Sequence, residues 1–435
     1  MPSSSSVATS AVHHPDDPSV APGDIAVGVV IGRASEYFDF FVYGIASVLV
    51  FPSVFFPFED RLHGTLYAFV LFSLAFIVRP IGTLVSMEVQ RLFGRSTKLT
   101  IALFLLGSST VGMALLPGYA TAGVSAIAWL AACRIGQGLA LGGSWDGLPS
   151  LLAMNAPLKR RGWYAMLGQL GAPLGFLVAS SLFAYLWGNL SEADFLSWGW
   201  RYPFFAAFAI NVVALFARLR LVVTHEYERE LEARELEPCN VMELARGQGG
   251  NVLIGAFAAL ASYALFHLVT VFPLSWIILY SEQAVGEFLS VEIVGALLAA
   301  GAMLVSGLVA DRVGRRSTLG SVAVLIGVFA LFTPVLLDGG RLGHNIFILV
   351  GFILLGLSYG QAAGSVTSNF QRRFRYTGAA LTADLAWLIG AAFAPLIALG
   401  LSARFGLVSV SLYLLSGVAC TLLALRANRL LHLKY

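Results

Sequence analysis

The chain has 435 residues, of which 58% are hydrophobic and 12% charged, with a formal net charge of +3. Soluble globular domains carry about 25% charged residues, so a single water-borne core is excluded, and so small a charge gives nucleic acid nothing to hold. Cys133, Cys239 and Cys420 are widely separated, with no CxxC or His/Cys metal pattern, which excludes a disulfide scaffold and a zinc module.

Residues 1–24 are rich in Ser, Pro, Asp and His and lack an apolar run, so they are expected to form a disordered cytoplasmic tail without a cleavable signal. A membrane-crossing helix needs about 20 mostly apolar residues. Such stretches fall near 26–51, 64–88, 98–117, 122–154, 162–187 and 199–222, and again near 251–280, 288–310, 317–337, 345–367, 376–402 and 404–426. Between the two sets lies THEYERELEARELEP (224–238), alternating in charge, which is expected to lie as an amphipathic linker on the membrane surface. The expected fold is an all-α membrane protein with twelve transmembrane helices in two six-helix bundles. Residues 25–222 and 250–426 are the bundles, 223–249 a cytoplasmic linker and 427–435 a cytoplasmic tail.

Loops after even-numbered spans hold Arg91, Arg95, Lys98, Lys159, Arg160, Arg161, Arg312, Arg315, Arg316, Arg372, Arg373 and Arg375, whereas the opposite loops hold only Arg61, Arg341 and Arg404. This bias places both termini in the cytoplasm of an inner-membrane protein. LVSMEVQRLFGR (84–95) aligns without a gap on LVSGLVADRVGR (304–315), half a chain away, with Leu, Val, Ser, Val, Gly and Arg coinciding. Each copy closes the second span of its half. Two bundles related by an axis along the membrane normal follow, with a midplane site between them.

Charges inside lipid cost about 2.5–3.5 kcal/mol on insertion scales and persist where they face a cavity or a partner. In GRASEYFDFFVYG (32–44), Arg33, Glu36, Asp39 and Tyr43 share one helical face. Ionised carboxylates so close repel, which suits one of them to binding and releasing a proton; the plainer alternative is that Arg33 neutralises Glu36. Arg134, in RIGQGLALGGSWDG (134–147), offers a fork for a carboxylate, either a substrate's or that of Glu36 or Asp39. Asp146 is expected to pair with loop arginines, and Asp384 to line the pathway from span 11. Arg79 reads as an anchor near the inner leaflet, and His267 as a satisfied interior histidine. Gln169 and Pro173, in GQLGAPLG (168–175), suggest a bent helix with an amide turned inward.

GLVADRVGRR (307–316) resembles the loop motif of the major facilitator superfamily. GRASEYFDFFVYG, VRPIG (78–82), RIGQGLALGGSWDG, RRGWYAMLGQLGAPLG (160–175), WGWRYPF (198–204) and RYTGAALTADL (375–385) resemble its metabolite:proton symporters, which carry α-ketoglutarate, citrate, shikimate, or proline and betaine. The resemblance implies proton-coupling roles for Glu36 and Asp39 and substrate contact at Arg134, with Tyr43, Gln169 and Asp384 as further candidates. It implies a gating role for Gly307, Asp311, Arg312, Gly314, Arg315 and Arg316. The first-half copy departs from this motif, with Met87, Arg91 and Leu92 in place of Gly, Asp and Arg, and Ser144 stands where the family has a glutamate. The expected function is proton-coupled symport of a small carboxylate-bearing metabolite by a monomer. An exporter or a non-transporting sensor are the alternatives. Without HExxH, GxSxG or GxxxxGK[ST], no enzyme and no cofactor are expected.

Overall fold

The computed structural model describes residues 22–144, 156–222, 237–362 and 370–432, and among these it is helical with no strand. The first bundle comprises α1 (Pro22–Leu49), α2 (Arg61–Phe93), α3 (Arg95–Leu115), α4 (Val124–Gly143), α5 (Arg161–Asn189) and α6 (Tyr202–Val222). The second comprises α7 (Val241–Tyr280), α8 (Val285–Val313), α9 (Arg315–Asp338), α10 (Gly340–Ala362), α11 (Arg375–Phe405) and α12 (Val408–His432). Ten of these are apolar and long enough to cross a bilayer by composition alone. The other two are α1, which carries Arg33, Glu36 and Asp39 through its middle, and α6. Asp146 and residues 1–21, 223–236 and 433–435 lie outside the described residues; of the expected linker, Val241 onward is already helical.

The packing repeats between halves as the aligned segments anticipate. α2 packs on α4 as α8 does on α10, α3 on α6 as α9 on α12, and α1 on α5 as α7 meets α11. The seams between bundles repeat too, α8 on α5 and α2 on α11. Each copy of the repeat turns on one residue, Gly94 at φ +83° and Gly314 at φ +88°. Each ends one helix and begins the next, a left-handed position that only glycine holds without strain.

At the other end of α2, Asp60 accepts from the His63 N–H at 3.0 Å, a cap that holds its carboxyl below the ordinary range. We call the ends carrying Gly94, Arg161, Gly314 and Arg375 the basic face. The chain breaks along the seam, at Gly168–Leu170 in α5, at Ala259 and Val271 in α7, and in a π-turn at Trp387–Ala391 in α11. The bend expected around Gln169 is therefore present.

Glycines set how closely α4 approaches α2. A methyl group on Gly138 would overlap the Ala75 backbone, and one on Gly142 would lie 2.5 Å from the Thr83 nitrogen. Gly138→Val is therefore expected to cost about 1–3 kcal/mol or more by overpacking. It should appear as a lower unfolding midpoint in detergent. Gly188→Val, which meets nothing within 4 Å, should leave the midpoint in place.

Candidate functional site

α1 carries its charges in two directions. Glu36 accepts from Arg33 at 2.8 Å and lines a cavity of about 30 Å³ between the bundles, together with Arg33, Tyr37, Phe40, Phe76, Arg79 and Trp387. That volume has room for about two waters. Asp39, 1% exposed, turns into the first bundle instead. It accepts from Thr110 Oγ1 on α3 (2.7 and 2.8 Å), Gln137 Nε2 on α4 (2.9 Å) and Asn211 Nδ2 on α6 (3.1 Å). Ser35 fixes Asn211 by donating to its Oδ1 at 2.6 Å. The two carboxylates, expected to share a face, are thus provided for separately, Glu36 by a cation and Asp39 by uncharged donors from three helices.

Arg134 is fully buried. It donates to the Phe72 carbonyl from Nε (3.2 Å) and Nη2 (3.1 Å), and its Nη1 donates to Gln137 Oε1 at 3.0 Å. Its guanidinium carbon lies 4.0 Å from the Tyr43 ring centre and 4.9 Å from that of Phe72, cation–π contacts worth about 2 kcal/mol when desolvated. Arg134 and Asp39 therefore communicate through the amide of Gln137, not by a direct ion pair. Gln137 lies in the same motif as Arg134, one turn along the same helix face, but as an uncharged residue it carries no signal in the sequence. Tyr43 supports the guanidinium with its ring face. Gln169 is buried at the α5 break and takes no part in this cluster.

Between Arg134 and the second bundle lies a single aromatic layer. Phe40 and Phe72 of the first half stand 5.2 and 5.1 Å, ring to ring, from His267 on α7; Phe76 stacks on Trp387 at 5.6 Å. The Tyr37 and Tyr359 hydroxyls, one from each half, bond directly to each other. His267 departs from the sequence expectation, because its Nε2 has no hydrogen-bond partner among the described residues. Its Nδ1 lies 3.5 Å from Thr270 Oγ1, whereas the rest of the ring packs against aromatic side chains.

Asp384 accepts from Arg79 Nε at 2.8 Å and Thr83 Oγ1 at 2.5 Å, tying α11 to α2 across the seam beside the cavity that Arg79 lines. Nearer the basic face, Gln90 Oε1 accepts from Lys98 Nζ (2.8 Å) and from the Tyr376 hydroxyl (3.1 Å). On the other seam Asp311 accepts from the Gly162 and Trp163 N–H groups at 2.6 and 3.3 Å, a carboxylate on the N-terminus of α5. Gly307 lets α8 approach this point, since a methyl there would lie 2.9 Å from Met166. Arg315 donates to the Arg161 carbonyl at 3.0 Å, Arg316 to that of Leu425, and Arg312 is exposed. The first-half copy has Arg91 where Asp311 stands, and Arg91 only pairs with Glu88 at the surface. Its seam is fastened instead by Asp384 and Tyr376, approaching from the other half.

On the opposite face the halves meet again. Ser73 donates to the Ala392 carbonyl at 3.0 Å, and Gly44 abuts Val271. Two pseudo-equivalent helical bundles packed around buried charges define a polytopic membrane transporter. The chain belongs to the Major Facilitator Superfamily, whose family model matches residues 37–384. It is 37% identical over 408 residues to the inner membrane metabolite transport protein YhjE of Escherichia coli, covering 92% of each chain. It is 29% identical to the shikimate transporter of that organism, covering 92% of this chain and 93% of the relative. The crystal structure of a D-xylose-proton symporter shares the fold with a TM-score of 0.69, at 17% identity over 93% of this chain and 96% of that one. The protein is thus a multi-pass membrane transporter, not an enzyme.

Proposed function

We propose that this transporter couples inward movement of a small organic anion or zwitterion to protons by alternating access. In this reading it lies in an inner membrane with the basic face and both termini in the cytoplasm. Residues 25–222 and 250–426 are the rocking units, joined by 223–249. The observation that carries the reading is the buried group Asp39–Gln137–Arg134, one aromatic layer from the seam. A fixed guanidinium suits a carboxylate, and an acid next to it suits a proton. Glu36 and Asp39 are the proton sites, Arg134 holds the substrate, and Arg79–Asp384 and Asp311 are the gates. Relatives named for metabolites, shikimate, and proline and betaine support this substrate class, because each of the named compounds bears a carboxylate.

Purified protein in liposomes with a pH dye outside provides the test. Adding shikimate, proline or betaine externally should make the medium more alkaline for the accepted compound, as protons enter with it. Acidification would indicate an exchanger. Substrate flux without any pH change would remove the proton.

A further inference from the structure

Asp39 receives donors from three helices, but a second buried acid receives none. Glu292 on α8 is fully buried, and neither carboxyl oxygen has a hydrogen-bond partner among the described residues. It lies on the same α8 face as Ala296, Ala299 and Met303, at spacings of four, three and four residues. Ala299 and Met303 line a small cavity between the halves with Phe41, Phe176 and Phe266. Glu292 is therefore on the seam, about 10 Å closer to the opposite face than Ala299.

The partner helix presents a matching group. α5 runs antiparallel to α8, with Gly307 against Met166 and Trp163 and Gly286 against Trp187. That register brings Ser180 to the level of Glu292, and Ser180 Oγ is likewise buried without a partner. Two polar groups without partners among the described residues, one from each bundle, thus occupy one level of this seam, far from the Asp311 contacts near the basic face.

We infer that Glu292 is a proton-binding site of the second bundle, taking its proton from water on the opposite face while the seam there is open and keeping it when the halves close over Ser180. An ionised carboxylate without donors is strongly disfavoured in an apolar interior. Closure is therefore permitted only once the O–H bond has formed. Among the described residues no titratable neighbour substitutes for the proton. His344 of α10 is engaged by Gln283 and the Leu337 carbonyl, and Tyr359 by Tyr37. Arg341 pairs with Glu287, and Asp338 stands at the opposite-face end of α9. Tyr185 of α5 is exposed, and Tyr280 of α7 lies at the helix end. Tyr263 and His267 of α7 sit in the aromatic layer, and the remaining charged groups among the described residues of α8 and of elements touching it are at the basic face: Lys159, Arg160, Arg161, Glu243, Arg246, Asp311, Arg312, Arg315 and Arg316, with Tyr164 beside them. Those positions are about 30 Å along α8 from Glu292.

The inference rests on the proton-coupled reading only for its role in the cycle; the protonated state is tested alone. Infrared spectra of the full chain in lipid at neutral pH should show a protonated-carboxyl band that Glu292→Gln removes and Asp39→Asn leaves. Dicyclohexylcarbodiimide, an apolar reagent that adds a carboxyl O–H across its C=N bond, should label Glu292, with the yield falling severalfold as pH rises. An unchanged band in Glu292→Gln, or labelling that ignores pH, overturns the inference. Labelling suppressed by sodium ions would do the same, by making the ligand a metal cation. Continued uphill uptake by Asp39→Asn would sink the proposed function but leave this result standing.

Discussion

Asp39→Asn is expected to abolish gradient-driven accumulation while leaving exchange of substrate across the membrane. A membrane potential of about 100 mV is worth about 2.3 kcal/mol per charge. One coupled proton therefore supports about 50-fold accumulation of a net-neutral zwitterion, and the variant should fall to none. The physical reason is local. Thr110, Gln137 and Asn211 all donate to Asp39, and the amide that replaces it cannot bind or release a proton. Counterflow in preloaded liposomes, compared with uptake under a potential, separates the two activities. Accumulation at the wild-type level would refute the assignment. Arg134→Ala in the same assay should weaken both activities for a carboxylate, because the fork is needed in either direction.

The second large effect is expected at the Arg79–Asp384 tie. Removing one partner of a buried ion pair costs about 3–5 kcal/mol, whereas replacing both is often close to neutral. Asp384→Asn should therefore shift the balance between closed and open basic faces by about two to four orders of magnitude. Leu141 lines the cavity beside Arg79, so a cysteine there, in a chain freed of Cys133, Cys239 and Cys420, reports the opening. Its maleimide modification should accelerate about 100-fold in Asp384→Asn, and much less when Arg79→Met is combined with Asp384→Leu. Equal rates in wild type and Asp384→Asn would mean that the tie does not hold the gate.

The twelve spans, the six-plus-six arrangement and the internal symmetry were legible in the sequence, because lipid forces long apolar runs and leaves charges at their ends. The expensive residues were legible for the same reason: Glu36, Asp39, Arg134 and Asp384 interrupt apolar runs and all prove buried. Their partners were not. Helical spacing tells which residues share a face but not which helix that face meets, so Asp39 and Glu36 read as one pair and serve two surroundings. Gln137, Thr110 and Asn211 carry no charge, cost little in a span and so leave little trace. Glu292 is a lone acid in the apolar run of α8, outside every motif, and only the packing shows that it lacks a partner among the described residues. Lys98 and Tyr376 reached each other only through the packing of α3 and α11 on the end of α2.

An amide has one accepting and one donating end, and Gln137 spends both, the first on Arg134 and the second on Asp39. In the proposed mechanism, a carboxylate arriving at Arg134 would compete for the very N–H that holds this side chain in place. Displacement of the amide would remove a donor from Asp39. Occupancy would then reach the acid through the rotation of one uncharged side chain.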